Sequence, residues 1–360
     1  MKILYIASRY DYGKVERGYS FEHYNFYESL IKMENGRHQV VYFAFDEIIK
    51  EFGRETMNKK LLEKVKEEKP DLCFFFLFTD EIYPETIKKI TDSGVLTYNW
   101  FADDHWRWSI YSRFYASNFS WVSTTDSQAI VKYKKIGYQN IIHTQWACNH
   151  FMYSPPRGIL RSTQNDGAYE HEVSFVGQPH SDRKRLVEKL SAEGVQTNCF
   201  GGGWPNGRVN QDKMIEIFGS SKINLNPTKS SGGVDMNSIA KIFLSKKQGK
   251  LQINWPWQWS DYFQSFLGRR REQIKGRNFE IPGCGGFLLS GWADNISDYY
   301  LPDQEMVFYK DQDELIAKVK YYLNHDLERE AIRQAGYERT VKEHTYEKRF
   351  QAIFKEMGLK

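Results

Sequence analysis

The sequence predicts two α/β domains, each built on a doubly wound parallel sheet with helices on both faces. Three observations lead there. With 360 residues the chain is long for a single hydrophobic core. Short, almost continuous apolar runs alternate with segments of helical periodicity through both halves, as expected of strands covered on both sides. Between the halves, residues 151–168 carry the pair Pro155-Pro156 among Gly and polar residues, and read as a linker.

In the first domain, residues 1–150, strands are expected at Lys2–Ala7, Gln39–Phe45, Leu72–Phe78, Val95–Phe101, Trp121–Thr124 and Ile141–Trp146. Helical patterns fall between them, near Phe21–Met33, Met57–Glu68, Glu85–Thr91 and Ser127–Ile136. In the second domain, residues 169–345, the expected strands are Glu172–Val176, Thr197–Phe200, Ile223–Asn226, Gly286–Leu289 and Met306–Tyr309. Its helices are Asp182–Ala192, Gln211–Phe218, Asp313–Leu323 and Leu327–Tyr337. Tyr346, Phe350, Ile353, Phe354 and Met357 recur at helical spacing, so 346–360 reads as a closing amphipathic helix packing back toward the first domain. Parallel strands imply right-handed crossovers, and ligands of such sheets bind at the strand C-terminal ends, here in a cleft between the domains.

The composition narrows the class. Hydrophobic residues make up 41% and charged residues 27%, which excludes a disordered chain. The 16% aromatic content is expected mainly in the cores. No apolar run approaches the roughly 20 residues of a membrane span, and MKILYIASRY reads as a first strand, not a signal peptide. Cys73, Cys148, Cys199 and Cys284 lie far apart, which predicts neither a zinc site nor disulfides and fits a cytoplasmic protein.

Chemistry concentrates in a few segments. KGRNFEIPGCGGFLLS, Lys275 to Ser290, puts the cations Lys275 and Arg277 before Glu280 and a turn containing Gly285 and Gly286. An acid accepts from paired ribose hydroxyls, while cations and backbone amides hold phosphate oxygens. A helix over Gln273–Ile281 would point Glu280 into the cleft and place Glu272 on the same face, two turns earlier. Gly177 follows a strand, and Arg183 falls in the first turn of the next helix, either facing an anion or simply solvated. Gly201-Gly202-Gly203 forms either a platform for a planar base, centred on Gly202, or a tight turn. In the first domain Asp103, Asp104 and His105 follow a strand, and one of them is expected to accept the proton of an acceptor hydroxyl. Ser8-Arg9-Tyr10 either borders the acceptor site or is an ordinary loop.

SFVGQPHSDRKRLVEKL, FGGGW and RNFEIPGCGGFLLS, with the segment from Asp298 to Phe350, resemble in order the C-terminal half of the CgeB-type (spore-coat) glycosyltransferase-like family. The match runs from about Val173 to Phe350. It implies the GT-B fold, two Rossmann-like domains facing a central cleft, with a nucleotide-sugar donor held by the second. It also implies a glycosyltransferase, with Glu280 binding ribose and Lys275 and Arg277 contacting the diphosphate. The larger retaining GT-B group carries Glu, seven residues, Glu. Glu272 and Glu280 have that spacing, but the residues around Glu272 depart from the pattern. The donor domain shows no metal-binding acidic motif, so cations must stabilise the leaving diphosphate. No essential metal is expected, and no cofactor beyond the donor, which is expected to be UDP- or GDP-linked. A non-catalytic protein binding sugar nucleotides or glycans is the alternative.

Residues 230–272 interrupt the second domain as an insertion. Residues 241–277 hold nine Lys/Arg against Asp261 and Glu272, within a chain of net charge only +4. Basic residues interleaved with WPWQW suit nucleic acid, including a modified-DNA acceptor, an anionic membrane surface or a sugar acceptor. They also suit a folded excursion whose Trp residues pack on the domain.

Overall fold

The computed structural model describes residues 1–155, 169–179, 181–228, 236–247 and 250–359. Most of the expected linker, 156–168, and the start of the expected insertion, 230–235, lie outside the described residues. The chain forms two units. One comprises Met1–Gln145, Val234–Arg269 and Tyr346–Lys360, the other Trp146–Gly233 and Arg270–Thr345.

In the first unit, strands β1 (Lys2–Ala7), β2 (Gln39–Ala44), β3 (Leu72–Phe75), β4 (Leu96–Phe101), β5 (Trp121–Thr124) and β6 (Ile141–His143) form one sheet in the order β2-β1-β3-β4-β5-β6. Every pairing in it is parallel. The third strand ends earlier than its apolar run, because past Phe76 the Leu77 N–H donates to the Asn99 side chain instead of a ladder carbonyl. The helix Phe45–Glu68 begins earlier than expected and breaks at Gly53, which sits at φ 79°.

Strand residues alternate between two cores. Leu4, Ile6, Cys73 and Phe75 pack with Met57, Leu61, Ile87 and Ile90. On the opposite face Tyr5 meets Phe74 edge-on at 5.7 Å, and Phe74 meets Tyr98 at 4.8 Å. The closing helix Tyr346–Glu356 completes this aromatic layer, with Phe350 lying 5.5 Å from both Phe74 and Phe26.

The chain then forms β7 (His171–Val176), β8 (Thr197–Phe200) and β9 (Ser221–Asn226) of the second unit. It passes through an arm containing the antiparallel hairpin β10 (Leu244–Lys247) and β11 (Lys250–Ile253), and finishes the second sheet with β12 (Leu288–Gly291) and β13 (Val307–Tyr309). That sheet is parallel, in the order β13-β12-β9-β7-β8. Its strand order reverses between β7 and β9, so the switch point lies beside Gly177 and Pro227.

The arm differs from expectation. Read from sequence as an excursion of the second domain, residues 234–269 group with the first unit. Its helix Trp259–Gly268 lies on the turn Asp104–Arg107. A Cβ at Gly268 would fall 2.0 Å from the His105 carbonyl oxygen, so only glycine permits this approach. Arg113 donates to Asp261 at 2.7 Å and the Ser109 hydroxyl to the Asp261 carbonyl at 2.9 Å. Trp259 packs edge-on against Phe243 and donates to the Asn254 carbonyl, yet stays 40% exposed. Trp255 and Trp257 stack on each other at 5.1 Å and remain 61% and 71% exposed.

Phe350→Ala is expected to cost about 3–5 kcal/mol in equilibrium denaturation, the usual penalty for emptying an aromatic core site. A loss below about 1 kcal/mol would show that the closing helix is not part of this core.

Candidate functional site

The C-terminal end of the five-stranded sheet gathers most of the second unit's expected site residues. After β7, the Gly177 N–H donates to the Phe200 carbonyl and its own carbonyl accepts from the Trp204 indole at 2.9 Å. This ties the strand end to the glycine loop. Gly201 (φ 135°) and Gly203 (φ 96°) carry the conformational constraint, and a Cβ at Gly201 would lie 2.3 Å from the Gly177 oxygen. Gly202, singled out from the sequence, is instead exposed and sterically free of backbone, with only the Arg208 side chain at 3.7 Å.

Arg183 folds back over the ring of Phe175 and donates to the Gln178 carbonyl at 3.0 Å. Burial lowers its pKa, the positive Arg277 lowers it further, and Tyr309 opposes both. Arg183 and Arg277 therefore feel one another at the same end of the sheet.

The helix expected at Gln273–Ile281 is shorter and later, Arg277–Gly283. Glu272 precedes it in non-helical chain and is exposed, so Glu272 and Glu280 do not share a helical face. Asn278 explains the start. Its Oδ1 accepts from the Lys275 N–H at 2.9 Å and from Asn226 at 3.0 Å, and its Nδ2 donates to the Ser290 hydroxyl at 2.9 Å. Lys275 itself is half-buried, its ammonium donating to Gln273 at 3.0 Å.

Glu280 is fully enclosed. One carboxylate oxygen accepts from the Tyr153 hydroxyl at 2.8 Å, and the other pairs with the Arg277 guanidinium. Tyr153 in turn accepts from Gln211 at 2.7 Å. Burial acts to depress the Arg277 pKa, but the Glu280 carboxylate outweighs it and the net shift is upward. Gly285 and Gly286 are buried and do not face a ligand. A Cβ at Gly286 would meet the Phe218 carbonyl at 2.5 Å, while the Gly285 carbonyl accepts from Arg333 at 2.9 Å. They are glycines for packing, a correction to their expected role in binding.

In the first unit, the strand end after β4 separates the three candidate bases. Asp103 is half-buried, and its carbonyl accepts the N–H groups of Trp106 and Arg107. Asp104 points into the core at 1% exposure and accepts from Tyr133 at 2.8 Å. Burial pushes its pKa up to about 7, against hydrogen bonds from Ser112, Thr124 and Tyr133. It is a core group, not a candidate base, because no substrate reaches it. His105 is also buried, with Nε2 4.0 Å from the fully buried Asp126. Ser8-Arg9-Tyr10 is a locked loop: Asp46 accepts the Arg9 and Tyr10 N–H groups at 2.8 and 3.0 Å, and Glu47 pairs with the Arg9 guanidinium at 3.1 Å.

Comparison with known proteins adds the family. A glycosyl transferase-like family model matches residues 249–355. The spore protein CgeB of Bacillus subtilis (strain 168) is 20% identical over 228 residues, 63% of this chain and 64% of its own length. Anabaena HepE in complex with UDP-glucose superposes with a TM-score of 0.60 at 9% identity, covering 99% of both chains. Sucrose-phosphate synthase from Thermosynechococcus elongatus gives 0.58 at 9% identity, covering 99% of this chain and 98% of that one. The chain is similar to CgeB in sequence and shares the GT-B fold of these structures.

Sequence reading missed Tyr153, Gln211, Asn226 and Asn278. Uncharged polar residues carry no spacing signature, and Tyr153 fell within the expected linker. The only available signal was Asn226 closing an apolar strand and Asn278 lying beside Arg277.

Asp104 provides a pH test. A carboxyl whose folded pKa lies above its unfolded value binds more protons in the native state, so its contribution to stability is lost as pH rises from about 4 to about 7. The unfolding free energy of the wild type should therefore fall across this window relative to Asp104→Asn, by up to about 4 kcal/mol. Parallel pH profiles would show that Asp104 titrates normally.

Proposed function

We propose that this chain transfers a sugar from a nucleotide-diphosphate sugar to an acceptor hydroxyl. The observation that carries the reading is the approach of Arg183 and Arg277 at the strand ends beside the β7/β9 switch point. In the reaction the acceptor oxygen bonds to the anomeric carbon, the bond from that carbon to the diphosphate oxygen breaks, and the hydroxyl proton is lost. Charge develops on the leaving diphosphate, where preorganised guanidinium groups stabilise it most. Lys275 adds a third cation on the same segment. The UDP-glucose bound to the similarly folded HepE supports a nucleotide sugar as donor, with UDP or GDP as the carrier. Asp103 is the base this reading prefers, since Asp104 is closed off and His105 is buried.

Glu280, fully enclosed, serves the site through Arg277, which it holds in place with the help of Tyr153. A thermal-shift screen with UDP, GDP, dTDP, CDP and ADP tests donor binding, since a ligand of the folded state raises Tm with occupancy. One nucleotide should stabilise the wild type, with affinity falling about tenfold to a hundredfold in Arg183→Ala and in Glu280→Gln, the range for losing a charged hydrogen bond. Nucleotide release from the matching sugar donor should persist in EDTA. No shift with any nucleotide would overturn the reading, and abolition by EDTA would overturn metal independence.

The arm supports contact with an anionic lipid surface as the localisation. Leu251, Ile253, Trp255 and Trp257 are all more than 60% exposed, and the hairpin sequence carries Lys246, Lys247 and Lys250. Aliphatic side chains bury in an acyl boundary but offer no face for a nucleobase, so this composition favours lipid over nucleic acid. The protein should float with anionic vesicles but not neutral ones, and Trp255→Ala with Trp257→Ala should abolish flotation. Retention on DNA without vesicle binding would reverse the assignment.

A further inference from the structure

A second charged hollow lies wholly within the first unit, and the donor chemistry does not use it. It opens at the C-terminal ends of β3 and β4 and is lined by Leu77, Phe78, Asp103, Arg107, Tyr111 and Ser112, among others. Arg107 is 9% exposed, and its guanidinium carbon lies 4.6 Å from the Phe78 ring centre, 4.9 Å from that of Trp106 and 5.0 Å from that of Tyr111. Among the described residues its guanidinium makes no hydrogen bond and no ion pair. Its Nε is a buried donor without an acceptor, and so is the buried Tyr111 hydroxyl. Ring faces favour a cation but accept none of its five N–H groups.

The surrounding charges leave this donor pair unfilled. Glu81 feels Arg107 electrostatically, yet its oxygens are occupied by the N–H and hydroxyl of Thr79 at 2.8 and 3.1 Å. Asp103 lines the same hollow. Arg269, carried in by the arm, lies 4.1 Å over the half-buried Trp106 and is close enough that Arg107 lowers its pKa beyond the effect of burial. Asp103 and Glu81 stand against the two guanidinium groups, so what the hollow leaves open is the donor pair of Arg107 and Tyr111. A charged donor left unpaired in a buried setting is costly unless a ligand completes it.

We propose that this hollow binds an oxyanion, a carboxylate or a phosphate, borne by the acceptor. Arg107 and Tyr111 donate to the oxyanion, Arg269 adds long-range attraction, and the partly exposed Phe78 ring offers a face for the attached sugar ring. Asp103, on the same rim, is placed to accept a neighbouring hydroxyl. The acceptor assignment rests on the transfer reaction proposed above, whereas the oxyanion site does not.

Isothermal titration of the full chain, without any nucleotide, with inorganic phosphate, glucuronate and glucose tests the site directly. One of the two anions should bind saturably and glucose should not, and the anion that binds identifies the source. Affinity should drop at least tenfold in Arg107→Met, which keeps the apolar stem, and several-fold in Tyr111→Phe. Should Arg107→Met fail to fold by circular dichroism, Tyr111→Phe and Arg269→Gln carry the comparison. Absence of anion binding in the wild type, or undiminished binding in the variants, overturns the proposal and leaves Arg107 as a packing residue. Because donor binding is read separately by nucleotide thermal shift, failure here leaves that reading untouched.

Discussion

A buried carboxylate held by a half-buried guanidinium governs the second unit. Removing the Glu280 carboxylate from water costs several kcal/mol, and the attraction of Arg277 recovers this only when the remaining hydrogen-bonding capacity is met. Here it is met from three parts of the chain. Tyr153 arrives from the segment leading out of the first half, Gln211 from the helix after β8, and Arg277 from the helix that carries Glu280. The pair therefore fixes how these segments approach one another. Asn278, on the same short helix, ties its start to the ends of β9 and β12. With both latches in place, the cationic edge of the sheet is presented by a helix that cannot rotate.

The arm shows why a charge-and-aromatic count misplaces a segment. From sequence, residues 230–272 interrupt the second domain, and nothing local says where the excursion goes. The decisive residue is Gly268, whose missing Cβ allows backbone to lie against the His105 carbonyl. A glycine before three arginines reads as an ordinary helix stop, so this contact leaves no sequence signature. Once docked, the arm delivers Arg269 to Trp106 and positions its helix against the turn that carries Asp103 and Arg107. The insertion thus shapes the first unit's candidate site, although it interrupts the sequence of the second.

Most strands were legible because parallel sheets buried on both faces leave near-continuous apolar runs. The start of β1 and both ends of β5 and β8 fall where the apolar runs fall. What failed did so through polar side chains and backbone geometry. The apolar run after β3 overshoots because Asn99 takes over a ladder bond. The helix before Glu280 starts late because Asn278 holds the chain open through Lys275. Adjacent acids at 103 and 104 look equivalent in sequence, yet one lies on the rim and the other turns to Tyr133, because Asp103 stands at the N-cap of the turn Asp104–Arg107 and Asp104 begins it.

The two charged ends of the sheets are built on different principles. In the second unit the buried charge is compensated internally, Glu280 by Arg277, so that end holds its shape without a ligand. In the first unit Arg107 is enclosed by rings that stabilise its charge but satisfy none of its donors. Satisfied networks rigidify, whereas unsatisfied buried donors mark the place where a missing partner has most to contribute. By that criterion the first unit has most to gain from a ligand around Arg107 and Tyr111, while the second unit already holds its charges in place.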